Sequence, residues 1–561
     1  MALVNPSRGS MAVLIPEIEK QAEIFRKNAV LERLNQRDAT LWSKNVDEQS
    51  EISQRLGWLD ASIKSEPLIA AGEELLAELL GEGYTHALVL GMGGSSLAPE
   101  VYSQFAESYN LNSPRSLDVS ILDSTSPEQI LRKQAEIPLS RTIFIVSSKS
   151  GTTVEVNTLF AYFWEQVEKV DSENTGKHFI AIGDPGTRIQ KLAAEKNFRR
   201  VIEADPNVGG RYSALIAFGL IPAILAGFDG RELLEKSSVK TAHGRIAADD
   251  RGVHLGMAMG AAYLSGRDKL TILADSQTVS LGSWIEQLVA ESSGKDGKGI
   301  VPIHEEPVFP ADHYRSDRFF VYLRKNGDMD EFVRQLSALG HPVYVCDLPE
   351  VYDLAAEFYR WEIATAIACI ILNVNAFNQP NVQESKDIAK QMITALKNKE
   401  ELKIAHPLWS DQDLAFYGAG DPKPTLHESL GDFLSSSKSG DFIALNAFIA
   451  RNKENESRMQ ILRKFLTEQT GLPTTLGFGP RFLHSTGQLH KGGRNNGLFI
   501  VISQDEPDRL SIPEEGIAFN DLIMAQALGD CQALEKHARR VIRLHFTDRK
   551  LLNSDLSELF G

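Results

Sequence analysis

Residues 143–156 read IFIVSSKSGTTVEV, and their types point to anion chemistry. Ser148, Ser150, Thr152 and Thr153 place four hydroxyls within six residues, on a turn that leaves an apolar run and enters a helical one. A phosphate takes many donors with little added net charge, and a turn running into a helix start supplies hydroxyls and free backbone amides together. Lys149 adds attraction through its amine or serves through its amide. A helix cap in a solvated polar turn would use similar residues, but a cap needs only one hydroxyl.

Five further segments carry chemistry-bearing residues. In LVLGMGGSSLAPEVY, Gly91, Gly93 and Gly94 permit a sharp turn and close approach to a ligand, with Ser95 beside them. The segment lacks both the GxGxxG pattern and a Walker A ending, so neither a dinucleotide nor a P-loop nucleotide site is expected. A glycine turn serving only the fold reads the same way. DPNVGGRYSALIAFG sets Arg211 after two glycines, a planar donor fork at a point of close approach, or one half of a structural ion pair. In WIEQLVAESSGKDGKG an amphipathic helix is expected to end at Glu291, with Gln287 one turn earlier on its face. A carboxylate so placed can act as a base or simply be solvated.

NAFNQPNVQESKDIAK offers Gln379 before a proline and Lys386 on the next helix, where alone it reads as a surface lysine. FLHSTGQLHKGG gathers His484, Gln488, His490 and Lys491 about a glycine turn. Without a carboxylate or cysteine partner these histidines suit proton transfer or sugar hydroxyls better than a metal, so no metal site is expected.

The elements that must position these residues are legible as alternating patterns. Residues 11–80 have helical spacing. From about 85, short β-rich runs alternate with helical ones: HALVLG, DVSILD, TIFIVSS, HFIAIG and RRVIEA. A second series follows in KLTILADSQTVSLGSW, RFFVYLRK and HPVYVCDLP. Such alternation implies parallel sheets covered by helices, with ligands outside the carboxyl ends of the strands. TILADSQTVSLGSW resembles IFIVSSKSGTTVEV in layout, so two similar α/β domains are read. CQALEKHARRVIRLHF reads as a charged C-terminal helix, and IATAIACIILNV as a buried one. The expected partition is a helical segment over 1–60, one α/β domain over 61–245, a second over 246–400, and a C-terminal α/β extension over 401–561.

Composition narrows the classes. The 561 residues are 42% hydrophobic and 24% charged, enough for several cores and against wholesale disorder. A net charge of −16 argues against nucleic acid or an anionic membrane as partner. Cys346, Cys369 and Cys531 form no CxxC pair, which fits a reducing compartment. The opening MALVNPSRGSMAVLIPEIEK has no apolar core of signal length, so a cytoplasmic protein is expected.

Taken in order, five motifs resemble the phosphoglucose isomerase (glucose-6-phosphate isomerase) family. GMGGSS is similar to its GIGGS turn, SSKSGTTVEV to its phosphate loop, VGGRYS to its arginine signature, QLVAESSGK to its Q-x-x-x-E-S-x-G-K segment, and NAFNQPNVQESK to N-x-F-D-Q-x-x-V-E-x-x-K. The resemblance spans about 85–390 and is nearest to the isomerase half of bacterial transaldolase–phosphoglucose isomerase fusions, which share HSTGQLHKGG; no transaldolase half is evident here. It implies two sugar-isomerase (SIS) type three-layer domains. It implies that Gly93, Gly94, Ser95, Ser148, Lys149, Ser150 and Thr153 bind a sugar phosphate, and that Arg211 stabilises an enediolate. Glu291 would move the proton between C2 and C1; Gln287, Gln379 and Lys386 would contact the sugar, Lys386 also assisting ring opening.

One departure concerns the ring-opening histidine, which the family carries between the Glu and Lys motifs. His304, His313 and His341 lie there, and none stands in the family's pattern, so His484 takes the role by resemblance. The implied protein is an isomerase of glucose 6-phosphate and fructose 6-phosphate, needing no cofactor and forming a homodimer. The alternatives are an isomerase that also accepts mannose 6-phosphate and a non-catalytic sugar-phosphate-binding protein.

Overall fold

The computed structural model describes residues 10–111, 115–237, 245–398, 400, 406–506 and 508–560. The first nine residues, on which the leader reading rests in part, and the boundary at 401 lie outside them. The described chain clusters into two compact units. The first comprises Met1–Asp123, Ile137–Glu305 and Ser316–Asn378; the second comprises Ser124–Glu136, Glu306–Arg315 and Gln379–Gly561. Residues 61–245 and 246–400, read above as two domains, hold one sheet each, and both sheets lie in the first unit.

The short apolar runs of the first half form a five-stranded parallel sheet: β1 (His86–Gly91), β2 (Asp118–Leu122), β3 (Thr142–Ser147), β4 (Phe179–Gly183) and β5 (Arg200–Glu203). Helices cover both faces, so β3 and β4 are buried at every residue and show no polar alternation. The order β2-β1-β3-β4-β5 puts the topological switch between β1 and β3. Gly91 pairs with Ser147, so the GMGG and SSKSGTT turns leave the sheet side by side.

The second sheet, β6 (Lys269–Ala274), β7 (Val301–His304), β8 (Arg318–Arg324) and β9 (Val343–Asp347), is also parallel, in the order β7-β6-β8-β9. That order makes β6 the counterpart of β1, and β8 that of β3. The layout of strand, turn and helix shared by TILADSQTVSLGSW and IFIVSSKSGTTVEV is present, but by strand order the counterpart of the hydroxyl turn follows β8. There the amides of Lys325, Asn326 and Gly327 all donate to Asp275 Oδ2, at 2.8, 2.6 and 2.8 Å, and the Tyr322 hydroxyl donates to Oδ1. The anion seat of the second sheet holds the chain's own carboxylate.

Both sheets share one apolar core with the N-terminal helices, which contribute Leu14, Ile18, Phe25 and Trp42. All but the last two residues of IATAIACIILNV lie in the buried helix Asp353–Leu372, and no helix among the described residues is long and apolar enough to cross a membrane.

The second unit has a six-stranded sheet of β10 (Trp409–Ser410), β11 (Leu414–Gly418), β12 (Phe442–Phe448), β13 (Thr474–Phe478), β14 (Gly497–Gln504) and β15 (Arg540–Phe546), ordered β10-β11-β15-β14-β12-β13. Its core strands β12 to β15 are parallel. The helix expected over 531–546 is corrected here. The helix Phe519–Lys536 stops, Ala538 turns at φ 52°, and RVIRLHF becomes β15, with Val541, Ile542, Leu544 and Phe546 buried between β14 and β11. Residues 124–136, the crossover from β2 to β3, belong to this unit. Gln129 accepts from the Arg451 amide at 3.0 Å, Glu128 pairs with Arg549, and Ser126 donates to Glu506 at 3.2 Å. The segments that follow β12, β14 and β15 are thereby bonded to this crossover.

Candidate active site

Beyond β1 the chain turns through Gly93, at φ +55°, into a short 3₁₀ turn and the helix Leu97–Ser108; Ser95 is half-buried on that turn. Beyond β5 it returns through Gly209 and Gly210 to the 3₁₀ turn Gly210–Tyr212 that carries Arg211. The two glycine turns meet. A Cβ on Gly94 would overlap the Gly210 carbonyl oxygen, and Ser213 Oγ lies 3.3 Å from the Gly94 carbonyl. Gly94 thus serves the approach of the arginine-bearing turn.

The hydroxyl turn is organised from within. Ser148 is buried; its Oγ accepts from the Gly151 amide at 3.1 Å and stands 3.3 Å from Thr153 Oγ1. Ser150 and Thr152 are exposed, with their hydroxyls 2.7 Å apart. Thr153 occupies the N-cap position of the helix Val154–Glu168 without making a side-chain cap bond, so its hydroxyl is not spent on the helix start. The Lys149 amine is turned to Asp184 at 2.7 Å and to the Pro206 carbonyl at 3.1 Å. Burial pushes the Lys149 amine down and the Asp184 carboxyl up, each partly offset by the other. Of the two roles read for Lys149, this geometry favours the amide.

Glu291 lies in the last turn of the helix Leu281–Ser293, which continues two residues beyond the expected end and is buried over most of its circumference rather than amphipathic. The expected face-sharing with Gln287 is present: its Nε2 donates to Glu291 Oε2 at 3.1 Å. Arg211 Nη1 lies 3.2 Å from Glu291 Oε1, with the two side chains 4% and 10% exposed. Arg211 is fixed on further sides. Its Nε donates to Ser292 Oγ at 2.8 Å, and its Nη2 donates to the carbonyls of Ala376 at 2.6 Å and Asn378 at 3.1 Å. A planar fork with this many acceptors has one orientation, and it holds the carboxylate beside it.

Gln379, Lys386 and His484 belong to the second unit. Gln379 and Lys386 are exposed, Lys386 on the helix Val382–Lys397. Gln488, fully buried, clasps Asn381: its Oε1 accepts from the Asn381 amide at 3.0 Å and its Nε2 donates to Asn381 Oδ1 at 2.8 Å. This joins the Gln–Lys motif to the His484 segment, a pairing that neither motif announces in sequence. His484 is half-buried on the turn Arg481–His484. His490 is buried between Phe482 and Phe499, and burial with Lys491 and Arg539 nearby pushes its pKa well below the usual histidine range. Lys491 pairs with Asp530 at 2.6 Å, both buried. His490 and Lys491 therefore anchor the segment, and His484 is its accessible histidine. Among the earlier alternatives, His304 and His341 are buried and His313 stacks on Phe309.

A family model described as phosphoglucose isomerase matches residues 68–301. The glucose-6-phosphate isomerase of Parabacteroides distasonis is 30% identical over 399 residues, covering 61% of this chain and 87% of that protein. This chain belongs to the phosphoglucose isomerase family. The glucose-6-phosphate isomerase of Methanocaldococcus jannaschii is 26% identical over 350 residues, 55% of this chain and 85% of that one. A hypothetical protein from Thermus thermophilus shares the fold at TM-score 0.53 and 21% identity, covering 67% of this chain and 97% of its own. The family match takes in both glycine turns, the hydroxyl turn, Arg211 and Glu291, all within the first unit.

Proposed function

We propose that this protein interconverts glucose 6-phosphate and fructose 6-phosphate by moving one proton through a cis-enediolate. The observation that carries the reading is the buried Arg211–Glu291 pair in a phosphoglucose isomerase family member. Glu291 takes the proton from the carbon beside the carbonyl and returns it to the neighbouring carbon. Negative charge then develops on oxygen, and a fixed guanidinium offsets it without reorganising, which is the usual large electrostatic contribution. Gln287 holds the second carboxylate oxygen and so sets the plane in which Glu291 works.

Ser150, Thr152 and Thr153, with the amides of their turn, take the phosphate, while Ser148 shapes the turn from beneath. Fixing the phosphate handle turns an encounter into an oriented one. Gly93 and Ser95 line the neighbouring turn. Gln379 contacts the sugar, and Lys386 and His484 open the ring, roles that rest on the family resemblance. The proton transfer calls for no cofactor. The protein is proposed to act as a cytoplasmic homodimer, in keeping with its three buried free thiols and the family resemblance.

A coupled assay of glucose 6-phosphate formation from fructose 6-phosphate tests this on wild type, Glu291→Gln and His484→Ala. The reading expects turnover by wild type, loss with Glu291→Gln, and loss with His484→Ala confined to the cyclic sugar. Binding of sugar phosphate by wild type without turnover would reject it.

A further inference from the structure

Lys295 follows the catalytic helix and is 3% exposed. Its Nζ donates to the Ser292 carbonyl at 2.8 Å and to the Asn375 carbonyl. Arg211 grips the same two segments: Ser292 through its hydroxyl, and the loop through the carbonyls of Ala376 and Asn378, one and three residues beyond Asn375. Asn375 in turn shapes that loop, its Oδ1 accepting from the Phe377 amide at 3.0 Å. Two buried basic side chains thus tie the end of the Glu291 helix to residues 375–378.

We propose that Lys295 is a positioning residue for the reaction: it clamps the end of the helix Leu281–Ser293 to residues 375–378, and so fixes the acceptors that aim Arg211 at Glu291. The clamp does not depend on charge. Burial, with repulsion from Arg211, pushes the Lys295 amine well below the usual lysine range, but a neutral amine still donates two hydrogen bonds. Losing the clamp leaves two buried carbonyls without this donor and frees the loop to relax. The acceptors of Arg211 then drift, and a displacement of about 1 Å near reacting groups costs about 10²-fold in rate.

The inference rests on the isomerase reading, and its test separates the two. Lys295→Met keeps length and apolar bulk while removing the donors. Its kcat for fructose 6-phosphate is expected to fall about 10²-fold, with KM within about threefold, because the phosphate turn is untouched. The deciding readout is the cycle with Arg211→Lys. If Lys295 acts through Arg211, the double variant loses little beyond Arg211→Lys alone, whereas independent sites add. Additive losses, or wild-type kcat in Lys295→Met, overturn the inference while leaving the isomerase reading intact. Absence of turnover in wild type overturns both. Should Lys295→Met fail to fold, Lys295→Gln, whose amide nitrogen ends one bond short of the lysine amine and so cannot span both carbonyls, carries the same cycle with the same expected and overturning results.

Discussion

Gly94 and Gly210 stand in backbone contact, so the turn after the first strand and the turn that carries Arg211 pack with no side chain between them. Gly94→Ala must push that contact open. Forcing a methyl against backbone costs more than overpacking against mobile side chains, so a loss of about 3 kcal/mol is expected. Because Arg211 rides on the displaced turn, kcat falls as well. Urea unfolding and the coupled assay on one preparation check both; wild-type stability with wild-type kcat would show that the contact is slack.

Asp275 supplies the second sheet with the anion that its turn over 325–327 accepts. Asp275→Asn keeps one oxygen acceptor and places an amide group where the second oxygen had been. Charge-assisted hydrogen bonds contribute about 1.5–3 kcal/mol each, so a loss of about 2–3 kcal/mol is expected. Burial opposes ionisation, but the Tyr322 hydroxyl and the three amides hold the Asp275 carboxyl below the usual range. Its contribution is therefore complete above the unfolded value of about 3.9 and fades as pH falls through the lower folded value. The gap between wild type and Asp275→Asn should be constant from about pH 5 to 8 and shrink below about pH 4. A gap that grows on acidification would contradict the assignment.

Glu362 has the opposite sign. It is fully buried on the helix Asp353–Leu372, and neither carboxyl oxygen has a hydrogen-bond partner among the described residues. Burial raises its pKa well above the ordinary range. The folded state then keeps a proton that the unfolded state releases above about pH 4.3, so stability attributable to this group falls as pH rises. Glu362→Gln is uncharged in both states and should gain on wild type by at most about 1.4 kcal/mol per pH unit above that point. Urea midpoints at pH 5, 6 and 7 test this; a difference that does not change with pH would mean that Glu362 ionises in the folded protein.

What could be read from sequence follows from the physics of buried parallel strands. HALVLG and TIFIVSS announce themselves because strands covered on both faces are short continuous apolar runs, and the small polar residues at their ends mark the ligand edge. Glu291 and Gln287 were legible because one helical turn separates them. The clasp of Gln488 on Asn381 was not, since it joins positions 107 apart through side chains that carry no motif. Lys295 drew no reading of its own, because nothing local says that its amine is buried against the Asn375 carbonyl. RVIRLHF was mistaken for helix because alternating Arg, aliphatic and aromatic residues after a helix continue a plausible helical face; the pairing with β14 and β11 overrides it. Asp275 was masked by strand order, which decides what corresponds to what and cannot be read from a turn alone.

The central claim is that Glu291 carries the proton between the two carbons. Fructose 6-phosphate incubated in D₂O with wild type and with Glu291→Gln, followed by proton NMR, reads that transfer directly. The account predicts deuterium at C1 of recovered fructose 6-phosphate and at C2 of the glucose 6-phosphate formed by wild type. It predicts neither exchange nor isomerisation by Glu291→Gln that has folded normally. Exchange by that variant at the wild-type rate would place the base elsewhere and contradict the account.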